Sequence, residues 1–290
     1  SVLWRFLMTL SLAIFTRSLL TTIKFLCCSN INVLKYQDGI LNNETYMDLG
    51  LNNKLAIITG AARGIGAATA QAFINEGAKV LLIDLNVEVE KLADKIGGSS
   101  LVCDLTDINA DEKVATAANK LGGASILINN AGISKPLSFP EITNENWSSV
   151  MDVNLGIAFR LTRCLWTQLS ASNGSVVNLA SFASKRSTLF GNNTSYVAAK
   201  HAINGLTRAT AFEGASQGIR INAVAPGVVD TELIRSVHDA DTRNKILGYI
   251  PQNRFAEPSE IADVIVFLAS SRASHICGEV ININGGMCMD

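Results

Sequence analysis

Metal chemistry and disulfide scaffolding have little to work with in this sequence. Six cysteines stand at 27, 28, 103, 164, 277 and 288, none in a C-x-x-C pair. Only three histidines occur, His201, His238 and His275, and none partners the cysteines at metal-ligand spacing. Neither a zinc site nor a disulfide framework is expected, and the thiols read as reduced and mostly packed. Net charge is equally slight. Lys and Arg total 24 against 25 Asp and Glu, a formal balance of −1, which offers no basic stripe for nucleic acid. Charge runs, low-complexity tracts and internal repeats are absent. The longest uncharged run near the start, 6–16, is too short to span a bilayer as a helix.

What the chain has is apolar content. Hydrophobic residues make up 48% of 290, and the mean hydropathy is +0.26, ample for a large core. That length fits one large α/β domain or two small ones. Residues 1–46 differ from the rest. Ser1 to Gln37 contains no acid, while Arg5, Arg17, Lys24 and Lys35 are basic. Three readings stay open for this extension: a targeting segment, a membrane-surface anchor, or translated sequence outside the functional protein. Met47, a dozen residues before a glycine-rich turn, favours the third. The folded domain is expected over 47–290.

From Lys54 onward strands and helices alternate. Strands are expected at 55–58, 79–83, 99–103, 126–128, 176–179, 219–224 and 280–283. Helices are expected from Ile65 to Glu76, Val87 to Ile96, about 107–121 with Asp107 as its cap, 144–169 as one long helix, 195–217, and 258–268. Continuous apolar strands separated by helices indicate a single Rossmann-type, doubly wound parallel sheet with helices on both faces. Ligands of such a sheet bind at the carboxyl ends of its strands. The unusual polar residues sit there: Asp84, Asp104, Asn129, Ser181 and Pro226-Gly227 each follow a strand.

The first of those ends carries Thr59-Gly60-Ala61-Ala62-Arg63-Gly64-Ile65-Gly66. Strand, glycine turn and helix in that order let backbone approach a phosphate at a helix N-terminus. Three residues separate the first two glycines, unlike the commoner G-x-G-x-x-G spacing. Asp84, eighteen residues after Gly66, is placed to reach a ribose 2′-hydroxyl and to repel a 2′-phosphate, which favours NAD over NADP. Arg63 pulls the other way, since a guanidinium pairs with phosphate. Tyr196 and Lys200 lie four apart on a helix and so share a face. An ammonium about 5 Å from the phenol, at an effective dielectric of about 20, supplies roughly 3 kcal/mol, or about two pKa units. Such a pair suits proton exchange with an alcohol oxygen.

These pieces together resemble the short-chain dehydrogenase/reductase family. The likeness runs from about Met47 to the end and rests on the glycine turn, Asp104, Asn129-Asn130-Ala131-Gly132, Asn154, Ser181, Tyr196-Val197-Ala198-Ala199-Lys200, and Pro226-Gly227-Val228-Val229-Asp230-Thr231. The resemblance implies an enzyme interconverting an alcohol and a ketone with a nicotinamide dinucleotide and no metal. It implies that Gly60, Arg63, Gly64, Ile65, Gly66 and Asp84 hold the cofactor at the first two strands. Asp104 and Leu105 would meet its adenine, and Asn130, Ala131 and Gly132 would line it further on. Pro226, Gly227, Val229 and Thr231 would border the nicotinamide, with Thr231 and Val229 fixing its carboxamide. Tyr196 would be the acid or base, and Lys200 would lower its pKa and bind the ribose. Ser181 would hold the substrate oxygen, and Asn154 a relay water.

Ser181 precedes Tyr196 by fifteen residues, about two more than the family's spacing. Ser184 is its rival, though 174–181 matches the family's strand-to-serine run, which places two extra residues within 185–194. The substrate pocket is expected from 134–139, 182–190 and 231–257, where Phe139, Phe182, Phe190 and Phe255 are candidates for either substrate contact or plain packing. An NADPH-dependent 3-oxoacyl-thioester reductase is the alternative activity, and a catalytically silent nucleotide-binding regulator the alternative of another class. The family likeness further implies a homotetramer or homodimer, with the helices of Asn154 and Tyr196 at one interface. A cytoplasmic protein with a small-molecule partner, and neither nucleic acid nor membrane, is the resulting expectation. Of the glycosylation sequons, Asn146-Trp147-Ser148 is expected to place Asn146 toward solvent. His201 is expected at the surface or an interface, and Cys164 packed or at a subunit contact.

Overall fold

Apolar residues that alternate along each expected strand divide between two helix layers, and this division sets the architecture. The computed structural model describes residues 47–289 except 190 and 238. The expectations for 1–46, Phe190 and His238 lie outside the described residues. Strands β1 (Leu55–Thr59), β2 (Lys79–Asp84), β3 (Ser99–Val102), β4 (Ile126–Asn129), β5 (Ser175–Leu179), β6 (Arg220–Pro226) and β7 (Val280–Ile283) pair in parallel, in the order β3-β2-β1-β4-β5-β6-β7. The chain winds outward from β1 to β3, crosses back, and winds out the other way from β4. The switch point falls between β1 and β4, where a doubly wound sheet opens its crevice.

Along β1, Ala56 and Ile58 pack with Ala70 and Phe73 of helix α1 (Gly64–Asn75) and with Val89 and Ala93 of α2 (Glu88–Ile96). Leu55 and Ile57 face the opposite layer, with Val114 and Ala118 of α3 (Ala110–Lys120). Each of these strand residues is at most 2% exposed, so a one-residue slip would turn each set to the wrong layer.

The long helix expected over 144–169 is broken. It runs as α4 (Asn144–Met151), a π-turn (Asp152–Gly156), α5 (Ile157–Cys164) and, past Leu165, α6 (Trp166–Ala171). Asn154 gives the local reason. Its Nδ2 donates to Val150 O at 2.9 Å, the carbonyl an unbroken α-helix would reserve for the N–H of Asn154. Asp107 does not cap α3 either. The helix starts at Ala110 after Asn109, without a side-chain cap. The Asp107 carbonyl, not its carboxylate, accepts from Ala110 N at 3.1 Å, while the carboxylate pairs with Lys113 at 3.8 Å.

The remaining helices are α7 (Thr194–Ala215), α8 (Glu232–Val237), α9 (Ala240–Leu247) and α10 (Pro258–Ala269). Helices α8 and α9 lie in a stretch where the sequence pattern assigns no element. Ile261 and Ile265 of α10 join the α1 layer. Among the described residues no helix is long and apolar enough to cross a membrane.

Candidate active site

Carboxyl ends of β1 to β6 supply the site. At β1, Gly60 and Gly64 hold φ of 62° and 58°, a left-handed geometry that side chains resist. Gly66 is required for space. A Cβ there would strike the Gly60 carbonyl and approach Ala61 Cα at 2.9 Å and Asn130 Nδ2 at 2.7 Å. Helix α1 begins at Gly64 behind an extended Arg63, with no side-chain cap and no acid in its first turn. Its first N–H groups and dipole end are thus unopposed, as an anionic diphosphate requires.

Asp84 faces this turn. Its Oδ2 accepts from Ala62 N and its Oδ1 from Asn86 N, both at 2.9 Å, so the carboxylate braces the turn it borders. Arg63 lies on the outside, 3.9 Å from Glu232 of α8, with both side chains largely exposed. After β3, Asp104 Oδ1 accepts from Thr106 N at 2.9 Å and Thr106 Oγ1 at 2.7 Å. Those bonds hold the Asp104 carboxyl below its usual range. Leu105 beside it is buried.

Asn130 has a different position from a simple cofactor-lining side chain. Its Nδ2 donates to Thr59 O and Gly60 O, both at 2.9 Å, clamping the glycine turn to the end of β4. Thr59 completes the clamp. Its hydroxyl donates to Ile128 O at 3.2 Å and accepts from Asn130 N and Ala131 N at 3.0 Å each. In the sequence Thr59 is only the first residue of the turn; a hydroxyl ending an otherwise apolar strand is the signal of this role. Asn129, one residue earlier, spends its amide on Asn178 Oδ1 at 2.8 Å and Thr162 Oγ1 at 3.3 Å inside the sheet.

At the far side Tyr196, Lys200, Ser181 and Asn154 converge. Lys200 is 4% exposed, donates to Leu179 O at 2.6 Å, and its Nζ lies 5.6 Å from the Tyr196 ring centroid. Burial lowers the Lys200 pKa to about 8. It raises that of Tyr196, and a hydrogen bond with Ser181 opposes that rise. Desolvation of the phenolate is the larger of these two influences on Tyr196. Ser181 also accepts from Ala183 N at 3.1 Å. The rival Ser184 spends its hydroxyl on Ser181 O at 2.6 Å, which leaves Ser181 as the serine facing Tyr196.

Asn154 donates to Ile133 O and Val150 O at 2.9 Å, and its Oδ1 is buried with no hydrogen-bond partner among the described residues. A Cβ on Gly132 would sit 2.9 Å from that oxygen and 3.6 Å from Lys200 Nζ, so the two polar atoms flank one glycine. Pro226 ends β6, and Gly227 fits tightly against the backbone of Asn284. Val229 bridges to Ala256 and is buried. The Thr231 methyl lies 3.4 Å from where a Gly64 Cβ would be, so the β6 end closes against the glycine turn. Orphaned Asn154 Oδ1, uncapped α1 and the left-handed Gly60 and Gly64 of the turn fit a nicotinamide dinucleotide lying from turn to tyrosine.

Of the aromatic pocket candidates, Phe182 and Phe255 pack against Ile246, Ile250 and Met287, while Phe139 is exposed. Asn146 is only half exposed. It accepts from Ser195 Oγ and donates to Lys135 O, at 3.2 Å each, tying α4 to the start of α7 rather than facing solvent freely. His201 is exposed, with Nδ1 2.9 Å from Val197 O. The Cys164 thiol donates to Asp111 O.

A parallel sheet with a glycine turn and uncapped helix at its switch point and a tyrosine–lysine pair across the crevice defines a dinucleotide-dependent oxidoreductase. Comparison with known proteins narrows this class. The family model described as enoyl-(acyl carrier protein) reductase matches residues 60–288. The chain is 34% identical over 246 residues to a 3-oxoacyl-(acyl-carrier-protein) reductase of Vibrio cholerae, covering 83% of this chain and all of the relative. It is 36% identical over 247 residues to D-threitol dehydrogenase of Mycolicibacterium smegmatis, covering 82% and 94%. A crystal structure from Beutenbergia cavernae, assigned as an NAD(P)-dependent gluconate 5-dehydrogenase with bound NADP, is similar at a TM-score of 0.78 and 36% identity, covering 83% and 99%. The chain belongs to the short-chain dehydrogenase/reductase family, whose members here are NAD(P)-dependent oxidoreductases acting on CH–OH groups.

Proposed function

We propose that this enzyme interconverts a secondary alcohol and a ketone with NAD(H), using Tyr196 as acid or base. The convergence of Tyr196, Lys200, Ser181 and Asn154 at the β4–β5 end carries the reading. A bound nicotinamide supplies or accepts the hydride. Tyr196, held neutral by burial, donates its phenolic proton to the ketone oxygen during reduction and recovers it during oxidation. Ser181 holds the same oxygen and stabilises its developing charge. Lys200 keeps its ammonium beside the tyrosine and reaches the nicotinamide ribose. Asn154 Oδ1, on the other side of Gly132, accepts from a water that passes protons between Lys200 and solvent.

Asp84 supports NAD. A carboxylate that braces the turn at Ala62 puts negative charge where a 2′-phosphate would sit. The Glu232 carboxylate near Arg63 draws that opposing cation toward α8. A second reading, an NADPH-dependent 3-oxoacyl-thioester reductase, is favoured by Arg63 and by the acyl-carrier-protein reductase relative. Initial rates with NADH and NADPH, across a panel of ketones, sugars, steroids and acyl-thioesters, separate the two. A strong NADPH preference would sink the NAD assignment. Tyr196→Phe tests the chemistry itself: turnover should fall by about 10²–10⁴-fold while NADH still binds. Unchanged turnover would overturn the assigned acid, and no turnover by the native chain on any substrate would favour the silent regulator.

Assembly as a homotetramer or homodimer through α4, α5 and α7 is part of the same proposal. Trp147, Phe159 and Phe212 lie exposed on those three helices, apolar area of the kind that marks an interface. A monomer by light scattering would remove it. Free thiols at the four described cysteines suit a cytoplasmic location, which cell fractionation tests.

A further inference from the structure

One guanidinium joins the β3 end of the crevice to the turn that carries Asn154. Asp152 and Arg160 are eight residues apart. On a regular helix that spacing leaves them about 80° apart, and only about 20° once a π-turn absorbs one residue. Arg160 Nη1 meets Asp152 Oδ1 at 2.6 Å, and Nη2 donates to Leu105 O at 2.8 Å. The pair is partly shielded, with side chains 26% and 39% exposed. Gly156 leaves room for it: a Cβ there would strike Asp152 Oδ1 and come within 3.2 Å of Arg160 Nη1. Leu105 itself is buried, next to Asp104, so its carbonyl is fixed on one side by the core and on the other by Arg160.

We propose that Arg160 is a positioning residue for the adenine half of the dinucleotide, holding the Asp104–Leu105 wall in register with the π-turn. This rests on the dinucleotide reading above. Arginine suits the task because its planar fork serves two acceptors at fixed angles, which a lysine ammonium does not. Ligands that carry or lack adenine distinguish this role from general support of the fold.

The test uses the full chain and its Arg160→Met, Arg160→Lys and Gly156→Ala variants. Binding of NADH is followed by nicotinamide fluorescence, 5′-AMP by displacement of NADH, and reduced nicotinamide mononucleotide by direct titration. Arg160→Met should weaken NADH and 5′-AMP by about tenfold, as expected for a lost charged hydrogen bond. Affinity for the mononucleotide should stay within twofold. Arg160→Lys keeps the pairing with Asp152 and should weaken the adenine ligands in the same direction without lowering the melting temperature; it carries the test should Arg160→Met fail to fold. Gly156→Ala should do likewise by displacing the pair. Equal weakening of 5′-AMP and the mononucleotide, or unchanged affinity in a folded Arg160→Lys, overturns the proposal. A native chain that binds neither NADH nor NADPH overturns the dinucleotide reading and this inference with it, whereas native binding matched by all variants defeats the inference alone.

Discussion

Replacing Lys200 by methionine should inactivate the enzyme and stabilise it. Lys200 is 4% exposed, and its pKa falls from 10.5 to about 8 through burial. Holding the charge across that interval costs the fold about 3 kcal/mol, at ~1.36 kcal/mol per pH unit. Methionine matches the four-atom stem and removes that cost, but leaves Leu179 O, 2.6 Å from the ammonium, without its donor, a loss of about 1–2 kcal/mol. The net gain at pH 7 is about 1–2 kcal/mol, or about 2–4 °C for a domain of this size. The sign with pH follows from proton binding. Below pH 8 both folded and unfolded lysine are charged and the cost is complete. Between about 8 and 10.5 the folded state sheds its proton while the unfolded chain keeps it, so the native protein gains stability as pH rises. Thermal melts of both proteins from pH 6 to 10.5 should start with the variant higher and converge or cross by the alkaline end. A variant that melts lower at pH 7, or a difference independent of pH, would refute the reasoning.

Gly66→Ala should destabilise the domain by about 1–3 kcal/mol and abolish NADH binding, because the new methyl meets the backbone of Gly60 and Ala61; calorimetry with a fluorescence titration checks both, and retained affinity contradicts the turn assignment. Asp84→Asn keeps an acceptor for Ala62 N while removing the charge, so the NADPH-to-NADH ratio of kcat/KM should rise by about tenfold or more; an unmoved ratio would place cofactor choice elsewhere. Because burial raises the Tyr196 pKa, alcohol oxidation should accelerate across pH 7–10 while ketone reduction does not, and an oxidative optimum at neutral pH would count against tyrosinate as the base.

The strands were legible because each is an apolar run bounded by glycine, asparagine or aspartate, and their parallel order follows from the intervening helices. Asp84, Asp104 and Ser181 were legible for the same reason, as polar residues at strand ends. The π-turn was not. It shifts periodicity by a single residue inside a helix that stays amphipathic, and its cause is an Asn154 side-chain bond that no spacing rule records. Without that shift Asp152 and Arg160 look unrelated. The burial of Tyr196 was not legible for another reason: sequence gives the neighbouring charge but not the depth at which the phenol sits. Asn130 illustrates a third gap, since a motif residue at a binding crevice also spends its side chain on the crevice's own backbone.

The clamp between the glycine turn and β4 has a consequence for how the protein is made. Asn130 reaches Thr59 and Gly60 across about seventy residues of chain. A nascent polypeptide that has emerged only as far as β3 holds every glycine of the turn but lacks the clamp that shapes it. Such non-local pairings form late, after loop-closure entropy has been overcome. Dinucleotide added during refolding will consequently leave early intermediates untouched and draw the equilibrium toward the native state only after β1 and β4 have met. Nucleotide affinity thus becomes a timer for assembly of the central sheet.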